Sequence, residues 1–462
     1  MGSILFSNRA IARIHAAIIV VIIIVAGVAG AYYYLITTQG PPPPATEILI
    51  GTSVSITGKY ADSGRWHIEA YKLWEKQVNE KGGLLGRTVR FIIYDDKSDP
   101  TTAVSNYERL ITVDKVDLLV GGYASEIVFA SSSVAEKYGY LFVEGGGRSV
   151  TIFTRGYKYT FLTMPCLAED DGRGFIEFID TLPAAKKPKT FAFICEDTLY
   201  PISTSVGAMA YVIGGVKNAW TILGWLGDVS KVTFDSIKSA AQRVKNELGY
   251  ESPYEVVFFE KYAKGTTDVS PIISKIKAIG ADVLYVGGYL PDSVMAVRAC
   301  KELDYNPMAI FATVGPSMPD FGLSLKDDAM YVWCGIMFHS ETSWSKEFVE
   351  SYKKEWGRAP DYHAGTAYAA CQVIEAAVRG TGSLNNTVLR DWVASRNTPE
   401  KAVTTVVGPL YWDERGVCGY AGMVTQWLKI PEKRGLADYL VWPLSVREVD
   451  PVWPMPKWSE RS

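Results

Sequence analysis

Short apolar runs alternate with longer amphipathic segments along most of this chain, the pattern of repeated βα units. From Glu47 onward, apolar runs at 48–51, 89–94, 117–123 and 140–144 predict strands, each followed by a small or polar turn. Ile68, Tyr71, Leu73, Trp74 and Val78 fall at near-helical spacing, and Lys81-Gly82-Gly83 ends that helix. A further helix is predicted over 101–113. The second half repeats the scheme, with strands at 190–194, 256–259, 282–289, 309–312 and 330–338. Helices at 345–356, 362–379 and 389–395 follow, then a strand at 423–428 and a Trp- and Pro-rich tail.

One stretch occurs twice. Asp117-Leu118-Leu119-Val120-Gly121-Gly122-Tyr123 is matched by Asp282-Val283-Leu284-Tyr285-Val286-Gly287-Gly288-Tyr289. A strand that ends in Gly-Gly-Tyr brings backbone N–H groups and a ring to the C-terminal edge of a parallel sheet. Open α/β sheets bind ligands at that edge. Two such edges imply two lobes that face each other across a cleft and close on a small molecule.

Composition narrows the reading. The 462 residues exceed one typical domain, 48% are hydrophobic and 21% charged, and the net charge is −3. No basic excess points to nucleic acid. Six cysteines are scattered without a C-x-x-C pair and read mostly as buried thiols; with four dispersed histidines a metal site is not expected. Residues 16–36 carry no charge over a length that spans a hydrocarbon core as a helix. Arg9 and Arg13 precede them and no Lys or Arg follows until Lys59, which places everything downstream outside the cytoplasm. A cleaved signal peptide with a site at Ala29-Gly30-Ala31 is the alternative to a single-pass anchor in the cell membrane, in which case the domain is secreted. Residues 37–46, with four consecutive prolines, form a stiff spacer.

Candidate chemistry lies in the loops after strands. Gly145-Gly146-Gly147-Arg148-Ser149 offers N–H groups and side-chain donors to an anion, or is a flexible turn. Asp95, Asp96 and Asp99 read as a divalent-metal site or, more ordinarily, as a polar loop with a helix cap. Asn385-Asn386-Thr387 is a glycosylation sequon. No G-x-S-x-G, H-E-x-x-H, P-loop or G-x-G-x-x-G occurs, and no nucleophile is paired with a base, so no catalytic role and no cofactor are expected.

Several short motifs then fall in one order: Ser55-Ile56-Thr57-Gly58, Asn79-Glu80-Lys81-Gly82-Gly83-Leu84, Tyr94-Asp95-Asp96 with Asp99-Pro100, Arg155-Gly156-Tyr157, Gly287-Gly288-Tyr289 and Gly408-Pro409-Leu410-Tyr411-Trp412-Asp413. Together they resemble the solute-binding proteins of ABC transporters of the branched-chain amino acid and amide type, the Leu/Ile/Val-binding class, over about 48–427. The resemblance implies an α/β fold of the periplasmic binding protein type I: two Rossmann-like lobes with parallel sheets, joined by three crossover segments and closing like a hinged trap. The expected boundaries are a cytoplasmic N-terminus at 1–15, anchor or signal at 16–36 and linker at 37–46. Lobe 1 then takes 47–166 and 336–407, lobe 2 takes 167–335 and 408–445, and a tail covers 446–462. The implied function is capture of a small polar solute (an amino acid, amide, urea-like compound or carboxylate) for delivery to permease and ATPase subunits. A sensory ectodomain, or a hydrolase of a small amide, are the alternatives.

The resemblance also implies ligand contacts. Ser125 falls at the family's serine after the third strand, and Gly146, Gly147 and Ser149 in the loop after the fourth. Tyr123 lies beside them. Ser63 and Trp66 lie in or next to the first loop, and Tyr200 and Tyr289 match tyrosines of the second lobe. The sequence departs from the pattern where an acidic residue near 313–316 meets an amino acid's ammonium; Asp292 is a possible substitute. Arg148 replaces a small residue and is expected to favour a carboxylate ligand. The cysteine pair of some members is replaced at both ends, by Ser98 and Ala124.

Overall fold

The computed structural model describes residues 26–27, 47–419 and 422–461. Ala26 and Gly27 are helical and exposed; the rest of the expected membrane segment at 16–36 lies outside the described residues. Fourteen strands are described: β1 (Glu47–Val54), β2 (Thr88–Asp95), β3 (Leu118–Val120), β4 (Phe142–Glu144), β5 (Thr160–Leu162), β6 (Thr190–Glu196), β7 (Glu255–Tyr262), β8 (Val283–Gly287), β9 (Ala309–Ala312), β10 (Trp333–Ile336), β11 (Val403–Thr405), β12 (Gly408–Leu410), β13 (Met423–Ile430) and β14 (Gly435–Trp442). They form a five-stranded sheet ordered β2-β1-β3-β4-β5, a seven-stranded sheet ordered β14-β13-β10-β9-β8-β6-β7, and a β11-β12 hairpin. From β1 through β3 and β4 to β5, and from β7 through β6, β8 and β9 to β10, neighbours run parallel. β13 and β14 extend the second sheet antiparallel.

Parallel strands covered on both faces read as unbroken apolar runs, and β3, β4 and β8 are buried at every position. The helix Ala61–Glu80 buries Trp66, Ala70, Tyr71, Trp74 and Val78 along one stripe against the first sheet's core. The long apolar helix Leu199–Leu226 is mostly buried within the second lobe and bends at Gly215, whose φ is 65°. It is a core helix.

The chain changes core three times. Leu167 and Ala168 pack with the first core and Phe175 with the second; Trp333 packs with the second and Met337 with the first. Trp412, Val417 and Cys418 still belong to the first core, whereas Val424 belongs to the second. The last crossing therefore falls after Cys418, later than the boundary expected at 408. Trp412 explains the delay, because its indole donates to Leu162 O at 2.6 Å and its ring meets Phe161. The tail wraps the second lobe, where Val452 N donates to Gln426 and Met455 N to Met308 O.

Candidate functional site

The C-terminal edges of the two sheets meet. On the first lobe, β1 leads through a loop to Lys59 and Tyr60, and β3 leads through Gly121-Gly122 to Tyr123. The Tyr60 hydroxyl donates to Glu126 Oε1 at 2.9 Å. Tyr123 OH lies 3.0 Å from His363 Nε2, and His363 Nδ1 lies 2.8 Å from Asp361 Oδ2. A carboxylate only accepts, so Nδ1 carries the ring proton and Nε2 accepts from Tyr123. Burial pushes the Tyr123 phenol up, while hydrogen bonds from Ser63 and Tyr362 pull the other way. His67 completes this wall: its Nδ1 contacts Ser63 O at 3.1 Å, and burial, with His363 adding, pushes it down to about 3.

On the second lobe, Tyr200 opens the helix after β6 and Tyr289 follows β8. The Tyr289 ring lies 4.8 Å from Tyr60, 5.7 Å from Tyr200 and 6.3 Å from Tyr123. All four are buried, and Tyr200 and Tyr289 pack with the first lobe's core. The Tyr289 hydroxyl is buried without a hydrogen-bond partner.

The glycine loop differs from the expected anion cradle. Gly146 N and Gly147 N donate to Glu144 Oε2 at 2.9 and 2.7 Å. Arg148 N and Ser149 N point at Ser125 Oγ, at 3.1 and 3.3 Å. The chain's own oxygens thus fill the donors expected for a solute carboxylate. Glu144 is fully buried, and burial pushes its carboxyl up to about 8 against the pull of those two N–H groups. The cradle is tight: a Cβ on Gly146 would lie 2.0 Å from Gly122 O.

Arg148 is likewise engaged inside the protein. Its Nη1 and Nη2 each donate to Asp171 at 2.6 Å, and Nη2 also reaches Tyr200 OH at 2.9 Å. Its charge is matched by Asp171, which corrects the expectation that it stands ready for a carboxylate. Asp292 accepts from Tyr289 N and from Tyr262 OH, and its Oδ2 is 3.5 Å from Lys59 Nζ. It does not stand in for the missing ammonium partner. Trp66 packs between helices, stacked on Tyr352 with the Arg358 guanidinium 3.7 Å from its ring.

Direct contacts join the lobes. Lys59 pairs with Glu196, and Lys264 with Glu126 at 2.7 Å; Ser149 Oγ meets Ser203 Oγ at 2.6 Å. The structure thus brings together Ser63, Tyr123, Tyr200 and Tyr289, and holds Ser125, Gly146, Gly147, Arg148, Ser149 and Asp292 in internal hydrogen bonds. Sequence reasoning missed Lys59, Tyr60, Glu144, Asp171, Asp361 and His363. Asp361-Tyr362-His363 carried a readable signal, an aspartate cap two residues before a histidine. The three aspartates at 95, 96 and 99 hold loops and a helix cap: Asp95 accepts from Ile56 N and Thr57, Asp96 from Ser55 Oγ, and Asp99 from Thr102 N. Among the described residues no group of three or more His, Cys, Asp or Glu could hold a metal, and all six cysteines are buried free thiols.

A sequence profile described as Periplasmic binding protein matches residues 47–416. The chain belongs to the periplasmic binding protein family. This family member is 26% identical over 349 residues to Leu/Ile/Val-binding protein homolog 7 of Brucella melitensis, covering 71% of this chain and 76% of that one. It resembles in fold the branched-chain amino acid transporter substrate-binding protein of Streptococcus pneumoniae solved with isoleucine (TM-score 0.66, 18% identity, 86% of this chain and 100% of the other). A Rhodopseudomonas palustris solute-binding protein of an ABC transporter, solved with 3,4-dihydroxybenzoic acid, matches at TM-score 0.66 and 18% identity, over 90% and 99%. The expected α/β lobes with parallel sheets are those of this periplasmic binding protein, and its relatives are binding proteins for amino acids or other small solutes.

Proposed function

We propose that this periplasmic binding protein is the extracytoplasmic capture component of an ABC importer, closing two lobes on a small solute and presenting the closed form to a permease. The observation that carries the reading is the buried cluster of Tyr60, Tyr123, Tyr200 and Tyr289, two rings from each lobe. A solute among these rings touches both lobes only when they close, so binding shifts the open–closed equilibrium.

The proposed solute is small and uncharged, and bears hydroxyl or amide groups. Ser63, Tyr123 and Tyr289 supply its hydrogen bonds, and Tyr200 a ring wall. An α-amino acid docked on the glycine loop is disfavoured, because Glu144 and Ser125 already accept from those N–H groups. An anchor over 16–36 would hold the domain at the outer membrane face.

Titration calorimetry across phenols, hydroxybenzoates, amides and amino acids tests this. One-to-one binding of a neutral member, a phenol or an amide, is expected, and the charged hydroxybenzoates should bind more weakly. Leucine binding more tightly than every such member would overturn the solute class, and no binding to any would overturn the capture reading.

A further inference from the structure

A cavity of about 450 Å³ lies beside the chain's second crossing between the lobes. Its volume falls in the range of small-molecule sites, roughly 300–1,000 Å³. Asp361 and Tyr362 contribute from the first lobe's side, and Trp427, Leu436 and Asp438 from the antiparallel extension of the second sheet. Phe338, immediately after the crossing, forms part of the wall. The cavity therefore combines rings with the Asp438 carboxylate, while the Asp361 carboxylate is buried behind the wall.

The charges do not cancel. Arg434 also lines the cavity, but its Nη2 donates to Glu448 at 3.0 Å and to the backbone oxygen of Asp438 at 2.8 Å. The Asp361 carboxylate is turned into the protein, where it accepts from His363 Nδ1–H and Ala364 N. Among the described residues the Asp438 carboxylate has no ion pair and accepts no hydrogen bond from another residue. His339 is neutral, since burial, with Arg434 adding, pushes it down to about 4; its buried Nε2 has no hydrogen-bond partner, the Glu448 carboxylate standing 3.5 Å away. Burial also pushes the Asp438 carboxyl up, with Arg434 pulling down and Glu448 and Asp361 adding to the rise. A neighbouring cation would relieve this.

We propose that this cavity binds a small organic cation, an ammonium carried on an apolar or aromatic body, with Asp438 facing the charge and Trp427, Phe338 and Tyr362 enclosing the body. Carboxylates and ring faces both attract an ammonium, and the apolar walls exclude a bare metal ion's hydration shell. Because the walls come from both lobes, occupancy is linked to closure.

Benzylamine is the probe and benzyl alcohol its neutral match. Calorimetry on the whole protein should show one-to-one benzylamine binding at least about tenfold tighter than benzyl alcohol, a difference of about 1.4 kcal/mol. Asp438→Asn should weaken benzylamine about tenfold or more and leave benzyl alcohol within about twofold. Equal binding of amine and alcohol, an unchanged Asp438→Asn, or an equal loss of amine and alcohol in Asp438→Asn would overturn the site. Crystals soaked in 4-bromobenzylamine decide independently of variant folding. A bromine peak against Trp427 and Phe338 supports the proposal, and a peak only elsewhere, or none, overturns it.

Discussion

Replacing Lys59 with methionine separates closure by charge from closure by rings. Lys59 leaves the first lobe's first loop, pairs with Glu196 and stands 3.5 Å from Asp292. Its side chain is 16% exposed, and the two carboxylates are 1% and 5% exposed. Exposed ion pairs contribute about 0–1 kcal/mol, whereas breaking a buried one costs about 3–5 kcal/mol. Each carboxylate keeps other donors after the change: Thr198 Oγ1 at 2.9 Å for Glu196, Tyr289 N at 2.9 Å for Asp292. An intermediate loss of about 2 kcal/mol follows, which disfavours the closed state about thirtyfold. Opening returns both carboxylates to water, so the fold itself loses little. Small-angle scattering of the solute-free protein should show a larger radius of gyration for Lys59→Met, with a Tm shift below about 3 °C. High salt should move the natural protein in the same direction. An unchanged radius together with a large drop in Tm would refute the reasoning, because Lys59 would then support one lobe and not the closure.

Three further outcomes are expected. Tyr289→Ala removes the ring shared by Tyr60, Tyr123 and Tyr200 and should weaken the bound solute by tenfold or more; Tyr289→Phe keeps the packing and should cost about 0.5–1.5 kcal/mol in calorimetry if the hydroxyl bonds the solute. Gly146→Ala drives a Cβ to 2.0 Å from Gly122 O and should lower stability by about 1–3 kcal/mol, read from the urea midpoint. The carboxyls of Glu144, Glu169 and Asp96 are raised by burial to about 8, 7 and 6. The folded state holds protons there that the unfolded chain releases above about 4.3, so stability falls as pH rises from about 5 to 8. Thermal melts across that window should show Tm decreasing with pH, and Glu144→Gln should flatten the slope.

The parallel strands were legible because strands buried on both faces carry apolar runs without interruption, as in β3 and β8. β14 was not, because it lies at a sheet edge and its first four residues are only partly buried, so no run stands out. β5 is three residues long in an aromatic stretch and offered no period to count. At the site, Tyr123 and Tyr289 were legible from their places directly after strands, and Tyr200 from the family resemblance. Their polar neighbours were not. Arg148 and Asp171 are 23 positions apart and Lys59 and Glu196 are 137 apart, so each pair exists only because the lobes meet. A glycine run with a free arginine and the same run filled by its own glutamate look alike as sequence. What separates them is the position of Glu144, one residue before the glycines, where the strand's end turns its carboxyl back on the loop.

That turn sets the charge of what the tyrosine cluster can hold. Glu144 and Ser125 accept from the loop, Asp171 matches Arg148, and Lys59 meets Glu196 and Asp292, so the charged groups around the rings are satisfied within the protein. A charged solute would give up its water without gaining a partner, at a cost of several kcal/mol. Micromolar binding amounts to only about 8 kcal/mol, so that cost alone would abolish useful affinity. A neutral solute faces no such penalty. Burying about 200 Å² of its apolar surface contributes about 5 kcal/mol. Three hydrogen bonds at about 1 kcal/mol each, drawn from Ser63, Tyr123 and Tyr289, supply the remainder. The energies close for an uncharged ring or amide and fail for a zwitterion, which is why the missing acidic residue near 313–316 needs no replacement.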